Sequence, residues 1–302
     1  MDASRAYHDE QCAVAVRAFM EGRDATHDQA AWRDALAEAR HRVFQTLRKT
    51  EYLRDIPGAL KRDGATMAVL RYMMAPPLSQ DQFALVCGGW RKGSEGPRSS
   101  PLPQDVAERA ADEFARRVSP HLSRWLTGGG KHLRDGIEKT VWYVGALMAA
   151  QAIQTTSRMQ ASTGQETELV ALLRDAGWTQ LPAKLLDRRA SLPSRQFMHK
   201  TRFTTATATG QEVDVALGLA NDMVLALECK VSNDQTNSVK RVNDILKKAN
   251  VWKEHWGNFV QTGALLRGVF STRDVTRLLD AKVVVFWSHD LAYAREWLWH
   301  RV

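Results

Sequence analysis

Two apolar runs, Val213–Leu219 and Met223–Val231, flank a short polar segment, Ala220-Asn221-Asp222. Asn and Asp tolerate the backbone conformations of tight turns, so the pattern predicts an antiparallel hairpin. With the loop centred on Asn221, Asp214 stands opposite Glu228, and strand alternation puts Lys230 on the face of Glu228. The other face holds Val213, Val215, Leu217, Leu225, Leu227 and Cys229, which can enter a core.

Before the hairpin the periodicity is mostly helical. From about Glu10 to Lys49 apolar residues recur at helical spacing among Ala, Arg, Glu and Asp, with Val43, Leu47 and Tyr52 suited to one buried face. Pro57-Gly58 breaks this run, and a helix over Met67–Met74 follows, ended by Ala75-Pro76-Pro77. Ser79 is placed as an N-cap, with Asp81 in the first turn of a helix that ends near Cys87-Gly88-Gly89. Arg91–Gln104 is rich in Gly, Pro and Ser and reads as a long exposed loop. Its Arg91, Lys92 and Arg98 suit either a mobile linker or a phosphate contact. Helices are expected over Gln104–Val118 and His132–Thr156, with Thr127-Gly128-Gly129-Gly130-Lys131 as a turn between them. That glycine run lacks the spacing and the Ser/Thr of a nucleotide-binding loop, and no strand precedes it.

Near Thr155 the composition changes. A helix over Gln165–Ala176 carries Leu169, Leu172 and Leu173 on one face and ends at Gly177. Phe197–Thr209 reads as a first core strand, and the hairpin follows it. A polar turn, Val231–Asn237, leads into a basic helix whose expected buried stripe is Val239, Val242, Leu246 and Ala249. Lys240, Arg241, Lys247 and Lys248 fall mostly outside that stripe, and they and the helix N-terminus suit DNA phosphates. Strands over Ala264–Phe270 and Ala281–Trp287 enclose a helix, Arg273–Asp280, and a short amphipathic helix closes the chain. The β-α-β order gives the sheet parallel members. The fold class is therefore α/β (α+β): a helical region over residues 1–155, then a mixed sheet flanked by helices over 156–302.

Composition narrows the function. A chain of 302 residues, 44% hydrophobic and 25% charged, can bury a sizeable core, and its ten Trp suit core or interface positions. A net charge of +8 suits a polyanionic partner or simply solubility. The cysteines Cys12, Cys87 and Cys229 are odd in number and far apart, which argues against a disulfide framework or a cysteine-based zinc site and suits the cytoplasm. The N-terminal residues do not resemble a signal peptide, and the longest apolar run, Val141–Ile153, is too short to span a bilayer.

Asp214, Glu228 and Lys230 are the candidate chemistry. Two carboxylates on adjacent strands can hold Mg²⁺, a hard cation that takes oxygen ligands and keeps several waters. A nearby Lys can orient a water and stabilise developing negative charge. A strand that merely surfaces at Glu228 and Lys230 to form a solvated ion pair shares this spacing. His199, His255 and His289 lack ligand spacing, and His289 reads as a strand-end polar residue.

The pattern Asp-x13-Glu-x-Lys resembles the signature of the PD-(D/E)XK nuclease superfamily. More specifically, Glu228-Cys229-Lys230-Val231-Ser232-Asn233 with Thr236–Asn243 resembles the XamI family of type II restriction endonucleases. Ala75–Ser79, Gly268-Val269-Phe270 and Phe286-Trp287-Ser288-His289 add to the likeness, and a Pro before Asp214 is missing from it. The resemblance implies a Mg²⁺-dependent enzyme that cuts double-stranded DNA at a short, palindromic site and leaves 5′ phosphates. It implies Asp214, Glu228 and Lys230 as catalytic residues. The metal ligands would be Asp214, Glu228 and the main-chain carbonyl of Cys229, joined by a helical Glu, Glu168 with Glu166 as competitor. Ser232, Asn233, Thr236, Asn237, Lys240 and Arg241 are the DNA-contact candidates. A palindrome implies a homodimer, and restriction implies a DNA methyltransferase as functional partner. A repair or modification-dependent nuclease of the same fold, or an inactive DNA-binding relative, is the alternative.

Overall fold

Ala, Leu, Arg and Glu, all strong helix formers, are frequent up to Lys49 and give two helices, α1 (Ala3–Glu21) and α2 (Ala25–Lys49). The computed structural model describes residues 3–22, 25–95, 101–122, 133–188, 191–206 and 210–302. The expected loop position Arg98, the expected turn at 127–131 and the end of the strand expected over Phe197–Thr209 lie outside them. The chain divides into two compact units, one of residues 25–156 and one combining 1–24 with 157–302.

The first unit is helical. After α2 come α3 (Ile56–Arg62), α4 (Met67–Leu70), α5 (Gln80–Val86), α6 (Gln104–Arg117) and the first part of α7 (Leu133–Asp175). Pro57-Gly58 does not lie in a break, as its composition suggests. It opens α3, because Pro needs no N–H partner in a first turn and the Asp55 carboxylate accepts from Gly58 N–H at 2.8 Å. Ser79 caps α5 in a reciprocal pair with Gln82. Val43, Leu47, Leu60, Met67, Leu70, Phe83, Phe114 and Val144 share one core. Arg71 and Glu95 form a buried two-pronged ion pair at 2.9 and 2.7 Å.

The second unit is built on a seven-stranded mixed sheet. Its elements are β1 (Thr179–Leu181), β2 (Leu185–Leu186), β3 (Gln196–Phe203), β4 (Gln211–Gly218), β5 (Val224–Ser232), α8 (Gln235–Trp256), β6 (Val260–Gly268), α9 (Thr272–Asp280), β7 (Val284–Trp287) and α10 (Leu291–Trp299). The strand order is β1-β3-β4-β5-β6-β7, with β2 also beside β3. β3, β4 and β5 run antiparallel in turn, and β5, β6 and β7 are parallel. The hairpin register is the expected one: Val215 pairs with Leu227 and Gly218 with Val224. Asn221 at the turn has φ of 57°, a conformation Asn tolerates well.

Helices cover both sheet faces. Leu169 and Leu173 at the end of α7, with Ala294 and Leu298 of α10, pack on Phe197, Val215, Leu217, Leu225 and Leu227. On the other face Trp252 of α8 joins Met198, Phe203, Ala216 and Ala226. Val242 and Ile245 of α8 join Leu266, Val285 and Trp287.

Three expectations need correction. Val213 lies on the Trp252 side with Ala216, not with Val215 and Leu217. Alternation is interrupted at the intervening Asp214, opposite a β3 strand in which Lys200 has φ of 54°. The buried stripe of α8 is Val242, Ile245 and Trp252, whereas Val239 is 44% exposed. It is rotated because Ser238 is buried against Asp274, which its hydroxyl bonds. The helices expected over His132–Thr156 and Gln165–Ala176 are one, α7, since no Pro interrupts the polar stretch between them. Within the sheet unit, α1 packs through Cys12 and Ala15, and Trp287 Nε1 donates to His8 Nδ1 at 3.1 Å.

Candidate active site

The hairpin places Asp214 beside the main chain of Cys229. Asp214 Oδ2 accepts from Cys229 N–H at 2.8 Å. Lys230 Nζ lies 2.6 Å from Glu228 Oε2 and 3.6 Å from Asp214 Oδ2. The three residues that the spacing singled out therefore meet at one end of the hairpin. Glu228 is fully buried, Lys230 is 15% exposed, and Asp214 is a quarter exposed.

Asp214, Cys229 and Lys230 form one wall of a cavity of about 270 Å³. Ser162 and Glu166 on α7 form a second wall, and Asn233 with Asn237, Lys240 and Arg241 of α8 a third. The helix comes close because β5 ends at Ser232 and Asp234 caps α8, accepting from Asn237 N–H at 2.8 Å. A carboxylate thus already occupies the N-terminus of α8, where free N–H groups were expected to meet phosphate.

Electrostatics in the pocket follow from burial. Burial opposes the Lys230 charge, but Glu228 and Asp214 outweigh it and raise the ammonium pKa above its ordinary value. Lys230 is a charged donor at neutral pH. Burial, reinforced by Asp214, pushes the Cys229 thiol well up, so its side chain is neutral. Among the described residues no group of three or more His, Cys, Asp or Glu side chains is arranged to hold a metal ion.

Several candidates are placed differently from expectation. Glu168 pairs with Arg267 at 2.6 Å and does not line the cavity, whereas Glu166 does. Residues two apart on a helix point to different sides, so only one of the pair can face the sheet end. Ser232 is buried, donates to Asp234 O at 2.7 Å and does not line the cavity. Thr236 is exposed but does not line the cavity. His289 meets Gln11 at 2.7 Å, as a polar residue just beyond the end of β7.

The sequence pattern missed three neighbours. His199 and Lys200 of β3 hold the Glu166 carboxylate at 2.8 and 3.1 Å. Lys248, expected on the solvated side of its helix, turns inward to Glu228 at 2.8 Å. Its spacing from Ile245 and Trp252 was the available signal.

The family model of the XamI restriction endonuclease matches residues 51–287, more than half of the chain and the whole of the hairpin. The chain belongs to the XamI restriction endonuclease family. The type II restriction enzyme XamI of Xanthomonas campestris pv. amaranthicola is 30% identical over 190 residues, which cover 62% of this chain and 66% of that protein. The aligned part thus spans just under two thirds of this relative. Among solved structures, protein VC1899 from Vibrio cholerae is similar over 85% of this chain and 56% of its own, at 12% identity and a TM-score of 0.32. That likeness is too slight to inform fold or function. The XamI family match contains every cavity-lining residue named above.

Proposed function

We propose that this XamI-family protein is a type II site-specific deoxyribonuclease with a PD-(D/E)XK core. It hydrolyses phosphodiesters of double-stranded DNA at a short palindromic site, with Mg²⁺ as cofactor, and leaves 5′-phosphate ends. The observation that carries the reading is the meeting of Asp214, Glu228 and Lys230 beside a cavity faced by Lys240 and Arg241.

The donor set fits Mg²⁺. Asp214 and Glu166 bring carboxylate oxygens to the cavity, and Cys229 can add its main-chain carbonyl. Glu228 lies directly behind them, bonded to Lys230. Mg²⁺ needs only one or two carboxylates, because it keeps much of its water. Asp214 and the Cys229 carbonyl are the ligands this reading places at the cavity, with Glu166 in the place first expected of Glu168. Glu228, expected as a ligand too, is buried with its oxygens bonded to Lys230 and Lys248 and would have to exchange one of those partners to reach an ion. When bound, the ion polarises the phosphate and makes water a better nucleophile at neutral pH.

The remaining work falls to the chain. Lys230, held protonated, donates to the attacking water and offsets the negative charge that builds on the phosphate. Lys240 and Arg241 hold the DNA backbone, and Asn233 and Asn237 are of the residue type that reads adenine edges. Both strands of a palindrome require two sites, so the working form is a homodimer. A DNA methyltransferase of matching specificity is its functional partner. No helix of the described residues is long and apolar enough to cross a membrane, and the protein is assigned to the cytoplasm with its DNA.

The test is incubation with long, unmodified duplex DNA in Mg²⁺ or in EDTA. Discrete fragments in Mg²⁺ alone, with 5′ phosphates at their ends, are expected. DNA bound but left whole in both would overturn the restriction reading and favour a modification-dependent or inactive relative.

A further inference from the structure

We propose that Lys248 is a positioning residue of this active site, holding the Glu228 carboxylate from the α8 side and so fixing where the Lys230 ammonium lies. The inference rests on the nuclease reading of Asp214, Glu228 and Lys230 and adds a residue to it.

The geometry is specific. Lys248 Nζ lies 2.8 Å from each Glu228 oxygen and 2.9 Å from the main-chain oxygen of Glu212. The two Glu228 oxygens and the Glu212 carbonyl are its hydrogen-bond partners, and Lys248 does not line the cavity. It ties together β4 through Glu212, β5 through Glu228, and α8, on which it stands.

Its place on the helix explains the inward turn. Lys248 follows Ile245 by three residues and precedes Trp252 by four, and both of those are fully buried. The three share one helix face, which packs on the sheet. The long apolar stem can lie along that face while the ammonium reaches Glu228.

The consequence concerns charge as well as position. Glu228 has no exposure to water, so its charge must be met by protein groups. With Lys230 as sole partner, the whole of that demand would fall on the ammonium that also faces Asp214. Lys248 meets both Glu228 oxygens, and Lys230 spends one bond on Glu228 at 2.6 Å. Two Lys230 protons are then left for Asp214 and the cavity, where the reading above needs a donor.

The experiment compares wild type, Lys248→Met, Lys248→Arg and, as a charge control, Lys253→Met on the exposed side of the same helix. The substrate is a duplex carrying the site mapped from wild-type fragments. Single-turnover cleavage in Mg²⁺, DNA affinity in EDTA and melting temperature are measured together. Lys248→Met is expected to slow cleavage about 10- to 100-fold, as loss of groups that orient metal-site ligands does. DNA affinity should change less than about 2-fold, because Lys248 is turned to Glu228 and Glu212 and does not line the cavity. Lys248→Arg keeps the charge and should recover part of the rate. Lys253→Met should cleave like wild type.

If Lys248→Met does not fold, Lys248→Arg decides: slower cleavage at unchanged affinity supports the proposal, and a wild-type rate overturns it. A wild-type rate in a folded Lys248→Met overturns it too. So does loss of fold in both variants, or a fall in affinity as large as the fall in rate. Failure of the wild type to cut any unmodified DNA would instead sink the nuclease reading itself, and this inference with it.

Discussion

Asp214 Oδ2 accepts the Cys229 main-chain N–H at 2.8 Å, which joins the strand bearing one candidate carboxylate to the strand bearing Glu228 and Lys230. The bond gives Asp214 a structural role that can be separated from its chemical one. Asp214→Asn keeps a carbonyl oxygen for that N–H and should leave stability within about 1 kcal/mol of wild type. Asp214→Ala strands the N–H and should cost about 1–3 kcal/mol. Urea unfolding of the two variants measures the difference, and equal stabilities would count against the bond.

Glu228 is a sharper case. It is fully buried between two ammonium groups, so Glu228→Ala leaves Lys230 and Lys248 without their shared counter-charge. A loss of about 3–5 kcal/mol is expected, as for breaking other buried ion pairs by removing one partner. Glu228→Gln keeps an acceptor oxygen and should lose less. Denaturant titration checks both, and a Glu228→Ala protein as stable as wild type would mean that the carboxylate is not enclosed as described.

The two helical glutamates should separate cleanly. Glu168 pairs with Arg267 at the surface, where such pairs are worth about 0–1 kcal/mol, so Glu168→Ala should cost little stability and leave cleavage intact. Glu166 lines the cavity and is held by His199 and Lys200. Glu166→Ala should slow cleavage about 10-fold or more. Rates of the two variants on one duplex substrate provide the comparison, and the reverse order would return Glu168 to the site.

Acid should loosen the docking of α1. Burial lowers the His8 pKa below its ordinary 6.5, against an opposing pull from Asp9. His8 Nδ1 accepts from Trp287 Nε1, so the neutral ring is the one that fits. As pH falls below about 6.5 the unfolded chain takes up this proton before the folded one does. The stabilisation is therefore complete above that pH and is lost as pH falls through the lower folded value. Melting temperatures from pH 8 to pH 5 should drop more for wild type than for His8→Phe; parallel curves would show that His8 is not involved.

The hairpin was legible in the sequence because its determinants are local. Asn221 marks the turn, the apolar flanks fix the pairing, and the register of Asp214 with Glu228 follows by counting. What the pattern could not supply depends on distant partners. Ser238 looks polar and exposed until Asp274 buries it, and that contact rotates the stripe of α8. The turn of Lys248 toward Glu228 is a consequence of the same rotation, since Lys ordinarily reads as surface. The choice between Glu166 and Glu168 depends on the phase of α7, which sequence alone left open. The docking of α1 on the sheet rests on contacts such as His8 with Trp287, 279 positions apart in the chain, which no local periodicity announces.

Lys230 offers the decisive measurement, because the proposed chemistry needs its ammonium whereas the DNA backbone contacts proposed for Lys240 and Arg241 do not. Wild type and Lys230→Ala are compared on the mapped duplex site for cleavage in Mg²⁺ and for binding in EDTA. Binding within about 3-fold of wild type, with cleavage slowed at least about 100-fold, is expected for loss of a charge-stabilising donor. Cleavage by Lys230→Ala at the wild-type rate would contradict the assignment of the active site to this hairpin.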